Sequence, residues 1–260
     1  MTAPEPSEPV VLVDVADGVM SITLNRPRVR NAVDAAVAAA IGSALDELDR
    51  RADLVAGVLA GNGPAFCSGM DLKAFLAGER PTVPGRGFAG IAERGSDKPL
   101  IAAVEGYALA GGFEVVLACD LIVAGRSAVF ALPEVKRGLV AAGGGLMRLP
   151  QRIPLQLAME LALTGDTLTA AQAREAGLVN RLVEDGQARE EAMALAKKIA
   201  ANGPLAVRAT KQVLTRGLSW PAEEFFSRQA ELSEPVRSSA DAREGALAFA
   251  EKRPPQWRGE

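Results

Sequence analysis

The sequence predicts an α/β fold with a helical C-terminal part. Three observations carry that reading. Short apolar, β-branched runs alternate with helix-like stretches through the first two thirds of the 260 residues. Glycine-rich breaks, of which Ala110-Gly111-Gly112 is the clearest, separate strand from helix. From Gln187 onward the pattern is helix, turn, helix with no further strand-like run.

In chain order, residues 1–9 are rich in Pro and Glu and read as a disordered tail; they lack the basic-then-apolar order of a signal peptide. Residues 10–15 and 19–24 are β-branched runs split by Ala16-Asp17-Gly18, a hairpin. Asp34 is the expected N-cap of a helix over 35–50, with Val37, Ile41, Leu45 and Leu48 on its apolar face. A strand over 55–60 closes at Gly61-Asn62-Gly63-Pro64. Residues 79–90, loaded with Pro and Gly, read as a mobile loop beside a short helix. Residues 100–104 suit a buried strand, Gly106 breaks it, 113–119 read as an apolar helix and 121–123 as the next strand. A short strand over 128–130 leads to Pro133-Glu134. Beyond Gly143-Gly144-Gly145, a helix over 146–163 breaks at Pro154, Thr169 caps a short helix, and 178–183 form a last strand. Asn202-Gly203-Pro204 separates helices over 190–200 and 205–216, and further helices run to 253. The expected organisation is a tail (1–9), a core (10–200) and a helical region (201–260).

Composition narrows the chemistry. Hydrophobic residues make up 48%, enough for one sizeable core. A net charge of −3 gives no basic nucleic-acid footprint. The longest apolar region is interrupted by Glu105, Glu114 and Asp120, which argues against a membrane span of about 20 apolar residues. Cys67 and Cys119 make no disulfide framework and fit a reducing, cytoplasmic setting. There is no histidine, which removes Ser-His-Asp and Cys-His catalysis and most zinc sites, so no metal is expected. Proton transfer must rest on Asp, Glu, Lys, Cys or Tyr107. Gly61-Asn62-Gly63 follows a strand, but Phe66 stands where a dinucleotide fingerprint needs its third glycine.

Three stretches are candidates for chemistry. Gly111 and Gly112 start an apolar helix that carries one acid, Glu114; helix N-terminal amides lack partners and favour negative charge. An acid in a first turn is also ordinary helix chemistry. Ser68-Gly69 leads to Met70, Asp71 and a short helix, and a sharp turn there would expose the Met70 amide. Two such amides, Met70 and Gly111, could hold a carbonyl oxygen that gains charge. Glu134 follows a proline after an apolar run, either as a surface turn acid or as the second member of a carboxyl pair with Glu114.

Residues 65–72, 106–120, and 130–134 followed by 143–145 together resemble the crotonase (enoyl-CoA hydratase/isomerase) family. Asn25-Arg26-Pro27 with Asn31-Ala32, and residues 248–253, fit the same pattern, so the resemblance spans nearly the whole chain after the tail. It implies a spiral of ββα turns with a helical C-terminal trimerisation region, as a homotrimer or dimer of trimers. It implies an acyl-CoA substrate, whose coenzyme A is part of the substrate, and no separate cofactor, nucleic acid or membrane. The oxyanion hole would be the amides of Met70 and Gly111. Glu114 and Glu134 fall on the two catalytic positions of the family's hydratases. Ser68, Met70, Asp71, Leu72, Lys73 and Gly111 match the segments that line the CoA and acyl path, and Arg28, Arg30, Lys73 and Lys252 are candidates for phosphate contact. The implied reaction adds water across the C2–C3 bond of a 2-enoyl-CoA.

Residues 71–74, 87–90, 130–136 and 244–253 are similar to the branch that holds enoyl-CoA hydratases and carnitinyl-CoA dehydratases. A carnitinyl-CoA dehydratase (crotonobetainyl-CoA hydratase) is the first alternative to an enoyl-CoA hydratase and an enoyl-CoA isomerase the next; a non-catalytic CoA- or RNA-binding relative is the alternative of a different class. Met70, Ala110 and Ala141 depart from the family's usual small residue, glycine and proline.

Overall fold

The chain climbs two neighbouring ladders in step. The computed structural model describes residues 8–260. The expected tail therefore lies mostly outside the described residues; of it, Glu8 and Pro9 are exposed, and the Pro9 carbonyl accepts from Asn25 Nδ2 at 3.0 Å. β1 (Val11–Ala16) and β2 (Val19–Leu24) form the hairpin, followed by α1 (Ala35–Arg50), capped by the Asp34 carboxylate on the Val37 amide. β3 (Ala56–Gly61) leads to α2 (Leu72–Leu76) and a small ladder of β4 (Thr82–Val83) and β5 (Gly87–Phe88). Then come β6 (Leu100–Val104), β7 (Tyr107–Leu109) and α3 (Gly111–Ala118), and after them β8 (Leu121–Gly125), β9 (Val129–Ala131) and α4 (Gly145–Arg148). α5 (Leu155–Thr164), β10 (Leu168–Thr169), α6 (Ala170–Glu175), β11 (Arg181–Val183) and α7 (Ala188–Ala200) complete the core. α8 (Pro204–Arg216), α9 (Phe225–Arg237) and α10 (Ala240–Glu251) follow.

The larger sheet has the order β1-β2-β3-β6-β8-β11, parallel after the opening hairpin. The second ladder pairs β10 with β9 and β9 with β7, and single rungs extend it from Ala108 to Cys67 and from Met70 to Val33. Each turn thus supplies a strand to the large sheet, a rung to the second ladder and then a helix. This is the spiral of ββα turns that the sequence led us to expect.

Burial on both faces explains why β3, β6 and β8 are runs of apolar and glycine residues. On one face Ile22, Leu59, Ala102 and Ile122 pack with Ile41, Leu45 and Leu48 of α1. On the other, Val58, Ile101 and Val123 meet Ala188, Ala192 and Ala196 of α7, one small residue every fourth position. Among the described residues no helix is long and apolar enough to cross a membrane.

Two expectations are corrected. Residues 79–90 are anchored: Arg86 is only 3% exposed and its guanidinium binds Asp46 and the carbonyls of Arg94 and Gly95. β7, hidden behind Gly106, is a real strand because Cys67 on one side and β9 on the other supply its partners.

The spiral is tightest where α3 meets the preceding turn. A Cβ on Gly112 would fall far inside van der Waals distance of the Cys67 carbonyl oxygen, a backbone atom that cannot step aside. Gly112→Ala is expected to destabilise the protein by about 1–3 kcal/mol or more in denaturant unfolding.

Candidate active site

The second ladder loses a rung at Ala110, and the site forms in the gap. The Val33 amide donates to the Gly69 carbonyl at 2.8 Å, and the Asp71 amide donates to the Val33 carbonyl at 2.9 Å. Met70, between them, therefore turns its own N–H away from Val33. On that side the Cys67 amide donates to Tyr107 O at 2.9 Å and the Leu109 amide donates to Cys67 O at 3.0 Å. The Ala110 amide makes the last bond to β9, to the Ala131 carbonyl at 2.9 Å, and α3 then begins. Neither the Met70 nor the Gly111 amide finds an acceptor among the described residues. Gly69, at φ +96°, brings the two together: a Cβ there would lie 3.1 Å from the Gly111 nitrogen. As the first residue of α3, Gly111 has no carbonyl one helical turn back to bond.

Ala110 makes the corner at φ 51° and ψ −129°. That conformation suits glycine, and an L-residue held there stores about 1–3 kcal/mol. The substitution is thus more than a minor departure.

Glu114 is 4% exposed and accepts from the Gly145 amide at 2.9 Å. Gly143 and Gly145 leave it room: a Cβ on Gly143 would stand 2.6 Å from Glu114 Oε2. Burial pushes the Glu114 carboxyl up, while the Gly145 and Gly143 amides and the Arg148 charge pull the other way. Arg148 in turn donates to the Ala92 carbonyl at 2.6 Å, which ties the glycine turn to the preceding loop.

Glu134 sits in the 3-10 turn Pro133–Arg137. Its Oε2 is buried and has no hydrogen-bond partner among the described residues. Burial raises its pKa and the nearby Glu114 charge adds to this, while its own backbone amide and the Arg137 charge pull the other way. The two carboxyls thus differ in their hydrogen bonds, Glu114 held by the Gly145 amide and Glu134 Oε2 without a partner, while burial raises the pKa of both.

Glu114, Glu134, Met70 and Gly111 line one cavity of about 460 Å³, together with Ser68 and Leu72. Asp71 and Lys73 do not line it. The Asp71 carboxylate is engaged elsewhere, capping α2 at the Lys73 and Ala74 amides and pairing with Arg26. Lys73 is exposed, as are Arg28, Arg30 and Lys252. A wider opening of about 640 Å³ between α8 and α9, lined by Arg216, Trp220 and Arg228, contains none of these residues. Glu93 and Arg137, which no sequence pattern marks, also line the smaller cavity. Phe88 lies across Gly111: a Cβ on that glycine would stand 2.6 Å from the Phe88 ring.

The chain belongs to the enoyl-CoA hydratase/isomerase family, whose model matches residues 14–260. It is 42% identical over 262 residues to an enoyl-CoA hydratase of Mycobacterium tuberculosis, covering 96% of this chain and 97% of that one. It is 42% identical over 250 residues to the carnitinyl-CoA dehydratase of Salmonella typhi, covering 93% and 95%. Both relatives are hydro-lyases by name. The solved structure of an enoyl-CoA hydratase from Mycobacterium marinum superposes with a TM-score of 0.96 at 57% identity, covering 97% of this chain and 100% of that one.

Two substitutions test this geometry. Ala110→Gly releases the corner and is expected to raise stability by roughly 1 kcal/mol in denaturant unfolding. Gly143→Ala is expected to leave the fold intact by circular dichroism but to reduce turnover about 10²-fold, because it displaces the Glu114 carboxylate.

Proposed function

We propose that this protein adds water across the C2–C3 double bond of a 2-enoyl-CoA thioester. The observation that carries the reading is the unlike pair of carboxyls beside two unpartnered amides in one cavity. The thioester oxygen would accept from the Met70 and Gly111 N–H groups. Glu114 takes a proton from water as its oxygen bonds to C3, and the C2–C3 π electrons move toward the thioester. The charge that builds on that oxygen is stabilised by the two amides, each worth about 10²–10³ in rate. Glu134 then gives its proton to C2, and exchange with solvent restores both acids. The reaction draws on no cofactor beyond the coenzyme A of its substrate.

A second reading, hydration of crotonobetainyl-CoA, is favoured by the Phe88 ring and the Glu93 carboxylate in the cavity, which suit a cationic acyl group. Against it, Phe75 already has Arg80 stacked 4.5 Å from its ring centroid, so the cage is incomplete. We further propose a homotrimer assembled through the C-terminal helices, supported by the exposed Leu214, Leu218, Phe226 and Phe249.

The test follows loss of enoyl-thioester absorbance with crotonyl-CoA, longer 2-enoyl-CoAs and crotonobetainyl-CoA. Turnover on the alkyl substrates supports the main reading; turnover on crotonobetainyl-CoA alone selects the second; none on any of them overturns both. Glu114→Gln and Glu134→Gln should each lose about 10²–10⁴ in kcat. The pH profile has a definite sign. Glu114 must be ionised, so activity falls as pH drops through its pKa. Glu134 must be protonated, so activity falls as pH rises through its pKa. Both limbs should lie above the ordinary carboxylate range, because burial raises both groups. Glu134→Gln should remove the alkaline limb.

A further inference from the structure

We propose that Arg26 is a positioning residue for this reaction: through Asp71 it holds the Met70 amide in line with that of Gly111. The inference rests on the oxyanion-hole reading above.

Arg26 stands just past the end of β2, in Asn25-Arg26-Pro27. Its backbone is fixed first: the Arg26 amide donates to Asn31 Oδ1 at 2.9 Å. Asn31 is 1% exposed, and its Nδ2 donates to the Asn62 and Ala65 carbonyls at 3.0 and 2.8 Å. From this base the guanidinium forks. Nη1 donates to the Ala32 carbonyl at 2.6 Å and pairs with Asp34 Oδ2 at 3.0 Å. Nη2 donates to Asp71 Oδ2 at 3.1 Å. The side chains of Arg26, Asp34 and Asp71 are 22%, 18% and 15% exposed, so solvent screens the cluster only in part.

Asp34 and Asp71 are the N-caps of α1 and α2. One arginine therefore joins the caps of two helices, and the second cap is bonded directly to Met70. The orientation of Met70 is set by the Val33 bonds on either side of it, and the Asp71 amide makes one of these. Without the guanidinium, two carboxylates that now share one cation would face each other. Their repulsion would act on the residue next to the oxyanion donor. A displacement of about 1 Å in such a donor is enough to lose roughly 10²-fold in rate. A lysine at this position restores the charge but, as a point donor, cannot span both carboxylates in a fork.

Arg26→Gln, Arg26→Lys and Asp71→Asn are compared with the wild type by melting temperature, by kcat and KM, and by the spectrum of a bound conjugated dienoyl-CoA. A hydrogen-bonded thioester carbonyl draws electron density through the conjugated chain and shifts its absorbance to the red. The expected result is a kcat lowered at least 10-fold in Arg26→Gln with KM changed less than 3-fold, and a smaller red shift. Arg26→Lys should fall between Arg26→Gln and wild type, and Asp71→Asn should show the same signature more weakly. A wild-type red shift and a kcat within 2-fold of wild type in the variants that fold would overturn the proposal, as would a loss seen only in KM. If Arg26→Gln does not fold, the same criteria apply to Arg26→Lys and Asp71→Asn. The red shift needs binding alone. A wild type that shifts the dienoyl spectrum without hydrating it refutes the hydratase reading while the clamp is still judged on the shift. A wild type that binds with no shift refutes the oxyanion hole and the clamp with it.

Discussion

Everything in this site depends on how closely two successive turns of the spiral approach one another. Gly112 lies against the carbonyl of Cys67 with no room for a side chain, and Gly69 lies against the amide of Gly111. That proximity stacks the rungs at Cys67 and Ala108. It also brings the Met70 amide to the edge of the ladder at the point where the neighbouring strand turns into α3. A sheet normally consumes its own donors. Here the corner at Ala110 interrupts the ladder after one more residue, and two donors remain on the same side. The strain at that corner is the local consequence of holding them there.

The acids are placed by the same turns. Glu114 rides on the first turn of α3, so the backbone that orients Gly111 also orients the carboxylate. Glu134 comes from the following turn of the spiral, just after β9, which pairs with β7. Their different characters come from neighbours rather than from residue type. The glycine turn 143–145 supplies amides to one, and nothing described supplies a donor to Oε2 of the other. Neither Arg148 nor Arg26 lines the cavity, yet each fastens a segment that carries part of the candidate site.

Local signals were legible in the sequence. Asp34 and Thr169 cap the helices they were expected to cap, and the run 100–104 is the buried strand it resembled. Ala110-Gly111-Gly112 marked the start of α3, and the acids at 114 and 134 stood out once histidine was absent. What was not legible depends on partners far along the chain. β7 is three residues long, and its partners lie across the ladder. Arg86 looked like part of a loose Pro- and Gly-rich loop because its partner, Asp46, is 40 residues away. Asp71 carries the residue type of a ligand-contacting group, but a cap and an ion pair absorb its charge, and the pair to Arg26 crosses 45 residues. Glu93 has no local pattern at all; only the cavity it lines reveals it.

In the proposed reaction two backbone amides, Met70 and Gly111, receive the thioester oxygen. The direct measurement is the infrared stretch of a bound acyl-CoA labelled with carbon-13 at the thioester carbonyl, read as a difference against unlabelled ligand. The expected band lies at clearly lower frequency than the same thioester shows in water, because two aligned donors polarise the bond more than solvent does. A bound band at or above the frequency in water would contradict it.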